Sequence, residues 1–114
     1  MTQLQKQPEN RNAVEAVQSR RTVAAAVDIF ESKSDVWLVA DVPGVAKSGL
    51  HLEAKDGEIA FRGAVADEDF DYARAFRLPP GVDVDAISAE LKDGVLTLRL
   101  PKPAAMKPRV INVA

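Results

Sequence analysis

Ile87-Ser88-Ala89-Glu90-Leu91-Lys92-Asp93-Gly94-Val95-Leu96-Thr97-Leu98-Arg99-Leu100 is the stretch that decides the fold. Ile87, Ala89 and Leu91 alternate with Ser88 and Glu90, and after the Asp-Gly pair the apolar-rich run Val95–Leu100 follows. Alternation at every second position places the apolar side chains on one face of an extended strand. Asp-Gly between two such runs is a tight hairpin signal, because the favoured two-residue turn needs positive φ at both central positions. A lone hairpin with one greasy face is marginal in water and must pack against a second layer.

Working outward, the same texture recurs. Val27–Glu31 is followed by the polar turn Ser32-Lys33-Ser34-Asp35, and Val36–Ala40 ends at Asp41-Val42-Pro43-Gly44. Proline and glycine end a strand there by removing a ladder donor and permitting positive φ. Leu50, Leu52 and Ala54 alternate with His51, Glu53 and Lys55, then Asp56-Gly57 turns the chain into Glu58–Arg62. Residues 64–71 carry Asp67, Glu68, Asp69 and Asp71 and read as a loop, and Tyr72–Leu78 alternates again before Pro79-Pro80-Gly81. Seven short strands with two Asp-Gly hairpins and no convincing helix predict an all-β, antiparallel β-sandwich of roughly 80 residues. The body spans 23–101, between an N-terminal arm, 1–22, and a C-terminal extension, 102–114. In the arm only Leu4 and the cluster Ala13, Val14, Ala16, Val17 are apolar. One or two helical turns could form there, but so short a helix is marginal alone, and the arm is expected to be mobile unless it docks.

The 114 residues carry a net charge of -2, with 46% apolar and 5% aromatic residues, so the core must be built from Val, Ile, Leu and Ala. That balance gives no case for nucleic acid or a membrane surface as partner. The absence of cysteine excludes disulfides and thiol nucleophiles, and the single His51 excludes multi-histidine zinc sites within one chain. No cofactor, metal or catalytic group is expected, and the default location is the cytoplasm. The arm is net +2 and the extension net +3, which leaves 23–101 at -7. Basic ends flanking an acidic body favour contact with a body, their own or a neighbour's.

Ala89-Glu90-Leu91-Lys92-Asp93-Gly94-Val95-Leu96 resembles the signature of the small heat-shock proteins, the alpha-crystallin family: an alanine, three variable residues, Asn or Asp, then Gly-Val-Leu. Its fixed positions here are Ala89, Asp93, Gly94, Val95 and Leu96. Three further segments agree in order. Asp41–Val45 resembles the family's Pro-Gly turn, Arg74–Pro79 its arginine-bearing strand, and Ile111-Asn112-Val113 its I-x-I/V tail motif. The resemblance covers about 23–113. It implies an immunoglobulin-like sandwich and an ATP-independent chaperone that holds unfolding client proteins and assembles from dimers, with Arg74 at the dimer contact. Many members carry a swapped strand in a long loop; here 64–71 is too short for that strand and its two linkers. The arm is likewise shorter and more polar than in members that form large assemblies.

Ile111 and Val113, two apart, lie on one face of an extended segment. Pro101, Pro103 and Pro108 keep residues 101–109 extended and out of any sheet interior, and lower the entropy lost on docking. The receiving groove, by family matching, sets Leu50, Leu52 and Ala54 against Ile87, Ala89 and Leu91. Burying two β-branched side chains is worth on the order of 2–5 kcal/mol gross, reversible singly and firm when repeated by symmetry. Left open, such a groove holds any unfolding chain, because the hydrophobic effect is non-directional. Arg74 and Arg77 are read as sharing a strand face, either solvated or meeting acids of a second subunit, the second reading being taken for Arg74. Asp67, Glu68, Asp69 and Asp71 are read as a solubilising edge loop, lacking the glycine and distal glutamate of a calcium loop. The expected partners are client proteins and further copies of the chain. The competing reading is a co-chaperone-type interaction module on the same sandwich, which lacks both the Ala-x-x-x-Asp-Gly-Val-Leu pattern and the I-x-V tail.

Overall fold

A computed structural model describes residues 20–114. Eight strands form: β1 (Arg21–Ala24), β2 (Val27–Glu31), β3 (Asp35–Asp41), β4 (Val45–Lys55), β5 (Glu58–Val65), β6 (Phe70–Arg77), β7 (Ser88–Lys92) and β8 (Val95–Pro101). They make two four-stranded sheets, ordered β1-β6-β5-β4 and β2-β3-β8-β7. Period-2 alternation turns one face of each sheet inward, and the core is the meeting of those faces. Leu38, Ala40, Leu96, Leu98 and Leu100 supply one layer; Ile59, Phe61 and Val65 supply the other. The apolar cluster of the arm, and the mobility expected of it, lie outside the described residues.

The architecture is the expected sandwich, with additions. β1 escapes sequence reading because Arg-Thr-Val-Ala shows no alternation and all four residues are exposed. Its ladder on β6 is parallel, pairing Arg21 with Phe70 through Ala24 with Ala73. β4 begins at Val45 rather than Leu50, and its register on β5 shifts between those two residues. β6 begins at Phe70, so the expected loop 64–71 narrows to 66–69. Arg74 and Arg77 do not share a face: three residues is an odd step along a strand. Arg74 is opposite Phe61 and lies on the face of Phe76, while Arg77 is opposite Glu58.

The Asp93-Gly94 turn packs on the β3–β4 connection, where the chain leaves one sheet for the other. Asp93 has φ 50° and Gly94 φ 76°, as the two-residue turn requires. The Gly94 carbonyl accepts a 2.7 Å bond from the Val42 N–H. A Cβ on Gly94 would stand 3.1 Å from the Pro43 Cα, so backbone packs on backbone at this point. Gly57, at φ 77°, has nothing within 4 Å of an added Cβ. Gly94→Ala should therefore destabilise more than Gly57→Ala, which bears only the left-handed cost of about 1–2 kcal/mol. Urea unfolding midpoints of the two variants check this; equal losses would mean the Pro43 contact carries nothing.

Candidate client-binding groove

β4 and β7 are edge strands of different sheets, and along their seam the inward residues run short of cover. Lys47, Leu50, Leu52, Ala89, Glu90, Leu91 and Leu96 line a cleft of about 380 Å³ there. Leu96 is fully buried and forms its floor; Leu50, Leu52 and Leu91 are half-buried walls, and Ala89 is exposed. Lys47 and Glu90 put charge of both signs at the mouth. Of the six expected groove residues, four come together. Ala54 and Ile87 do not line the cleft, although like Leu50, Leu52 and Leu91 they are partly buried against the core. Leu96 went unassigned to the groove because a signature position reads as core, which it also is.

The tail is not built into its own domain. After β8 a short turn at Ala104–Met106 is followed by extended chain. Ile111 is 82% exposed and Val113 94% exposed. The opposite seam holds a second apolar cleft, of about 210 Å³, which sequence reading did not find. β1 covers β6 only as far as Ala73 before Ala25 and Ala26 cross to the other sheet, so Phe76 is left beside Ile29.

The acidic segment is more than a solubilising loop. Asp71 is buried and accepts from Arg62 Nε at 2.6 Å and Arg20 Nε at 2.7 Å. Arg20 also donates to the Phe70 carbonyl, and Arg21 reaches Asp69 at 3.0 Å. Burial is the largest single influence on Asp71 and pushes its pKa up. The hydrogen bonds and charges of Arg62 and Arg20 together outweigh it and hold the carboxyl below its ordinary value. Asp69 is held low as well, first by its bond from Arg21 and then by that residue's charge. Arg74 is half-buried, donates to the Ala25 carbonyl at 2.8 Å and stacks over Phe76 with 4.8 Å to the ring centre. These contacts clamp β1 and its exit onto β6. His51 is solvent-exposed, its Nε2 3.9 Å from Glu53.

Residues 28–114 match the Hsp20/alpha crystallin family. The "16.9 kDa class I heat shock protein 3" of Oryza sativa subsp. japonica is 32% identical over 118 residues, covering 88% of this chain and 79% of that one. The "Probable 15 kDa heat shock protein" of Leptospira interrogans is 32% identical over 94 residues, 72% of each chain. A solved small heat-shock protein from Xylella fastidiosa, described as having a distinct high order structure, superposes with a TM-score of 0.62 at 29% identity, covering 79% of this chain and 95% of that one. A β-sandwich with this signature turn and this tail is that of the small heat-shock chaperones. The chain belongs to the Hsp20/alpha crystallin family, the small heat-shock proteins. Among the described residues no helix is long and apolar enough to cross a membrane.

A carboxylate held low stabilises above its ordinary pKa and loses that contribution as pH falls through its lowered one. Thermal stability should therefore be flat near neutrality and fall below about pH 4. Asp71→Asn should cost about 1–2 kcal/mol at pH 7 and shallow that acid slope. Melting temperatures of both chains from pH 2 to 7 test this; parallel curves would remove Asp71 from the clamp.

Proposed function

We propose that the chain is an ATP-independent holdase whose β4–β7 cleft binds exposed apolar segments of unfolding proteins and, at rest, the Ile111-Asn112-Val113 tail of a neighbouring subunit. The observation that carries this reading is the pairing of an open cleft, walled by Leu50, Leu52 and Leu91, floored by Leu96 and charged at its mouth by Lys47 and Glu90, with a tail whose two motif residues stand in solvent. An apolar cleft and an apolar ligand segment need no nucleotide: occupancy follows from competition for buried area. Two side chains give a weak single contact, so tails exchange individually while an assembly of several persists. Lys107 and Arg109 precede the motif, and their charge suits approach to the acidic body. Lack of cysteine suits work in a reducing compartment, and the cytoplasm is the location this supports. Self-association and unidentified unfolding clients are the partners that follow.

At roughly equimolar dose and without ATP, the protein should suppress light scattering from heat-denatured citrate synthase. Leu52→Asp together with Leu91→Asp should weaken suppression several-fold while far-UV circular dichroism stays native. Full suppression by that variant would place client binding elsewhere, and no suppression by the parent would end the reading. Ile111→Gly with Val113→Gly should lower the assembly mass seen by light scattering. An unchanged mass would mean that the tail links no subunits.

A further inference from the structure

We infer that β2 is the self-association edge of this protein, and that a second copy adds its own β2 antiparallel about a two-fold axis at Ile29. The two sheets present four edges: β1 and β4, β2 and β7. Exposed edges are commonly guarded by lysine, proline, bulges or extreme shortness. β4 carries Lys47 and Lys55 and a register shift; β7 carries Lys92; β1 is four residues long and clamped by ion pairs. β2 reads Val-Asp-Ile-Phe-Glu, with two acids but no lysine, proline or bulge, and Glu31 is already met by Lys102. Its Ile29 and Phe30 are 57% and 55% exposed, one on each face of the strand.

The backbone shows which groups are open. The Ala26 carbonyl accepts from Asp41 N–H, and Ser32 N–H donates to the Asp35 carbonyl. In an antiparallel ladder the bonded positions alternate, so Asp28 and Phe30 bond to β3 while Val27, Ile29 and Glu31 point their N–H and C=O groups out of the sheet. Pairing Ile29 with Ile29 of a second copy sets Val27 against its Glu31, and each facing pair exchanges two hydrogen bonds. All five residues of the strand are then matched. Asp28 faces Phe30 across the junction, and no two acids stand opposite each other. A shift of the axis to residue 28 would set Asp28 against Asp28, and a shift to residue 30 leaves Val27 unpaired. The strand is thus complementary to itself in one register.

Continuity with the second cleft points to the same occupant. Ile29 lines it together with Val36, Leu38 and Phe76, so two Ile29 side chains meeting at the axis would close the mouths of both copies' clefts. The Glu31 carboxylate already lies 3.7 Å from the Lys102 ammonium, which neutralises charge at the end of the junction. This mode needs no exchanged strand and is open to a chain whose β5–β6 connection is only residues 66–69. It does not depend on the holding activity.

The test uses the full chain carrying Ile111→Gly and Val113→Gly, so that tail links are absent, with native mass spectrometry across a dilution series. Ile29→Lys alone and Ile29→Asp alone should each raise the dimer dissociation constant about tenfold or more, because each sets like charges opposite. Mixing the two should restore dimer as the mixed species. In the same background Ile29→Cys, the only thiol in the chain, should cross-link to itself on mild oxidation far faster than Val84→Cys, an exposed control. Unchanged mass in the single-charge variants, no recovery on mixing, or equal cross-linking rates would overturn the proposal. So would variants that keep the dimer but lose client holding, since the edge would then serve a client strand.

Discussion

Two sheets that each have one apolar face can bury it only against the other, and four strands a side leave two seams where the cover runs out. The rest of the molecule follows from that constraint. At the β4–β7 seam the shortfall is a cleft floored by Leu96; at the β2–β6 seam it is a smaller one beside Ile29 and Phe76. Neither is a defect of packing, because Leu96, Leu98 and Leu100 beneath them are essentially inaccessible. The domain is closed where its faces meet and leaves apolar side chains within reach of solvent where they part. The holding activity proposed above needs both properties.

The two seams are finished by different physics. At the β4–β7 seam the cover proposed above is apolar, a tail with two β-branched residues that would lose little entropy after its prolines. At the other, β1 is held by Arg20, Arg21, Arg62, Asp69 and Asp71 more than by burial, since none of its four residues is buried. Polar clamps of this kind add specificity of register, while exposed members of the set, such as Arg21 with Asp69, add little stability. The consequence is an edge strand that is placed accurately but cheaply, leaving β6 uncovered beyond Ala73.

What could be read in the sequence was what period-2 alternation and turn chemistry encode. The seven strands with an apolar face and both Asp-Gly turns are of that kind; the groove residues rest on the family resemblance, and four of those six line the cleft. Gly94 shows why the family signature has its form: the position needs positive φ and also has to admit the Pro43 backbone. What stayed hidden depended on tertiary partners. Arg-Thr-Val-Ala has no strand pattern of its own, and Asp69 and Asp71 read as solubilising until Arg62, across the β5–β6 ladder, and Arg20 and Arg21, 48 to 51 residues away, are placed. Ala54 and Ile87 continue the alternation of their segments and share the half-buried environment of the leucines, yet they stand outside the cleft lining. The second cleft was invisible because it joins β2 to the far end of β6, strands that alternation describes only singly.

The account rests on the β4–β7 cleft being the shared site of tail and client. The most direct measurement is a methyl NMR titration of the chain truncated after Pro103 with the peptide of residues 107–114, followed by addition of an unfolded client. The account predicts shifts at Leu50, Leu52, Leu91 and Leu96 on adding the peptide, with the same resonances moved by the client as it displaces the peptide. Shifts confined to Ile29 and Leu38, or a client that binds without displacing the peptide, would contradict it.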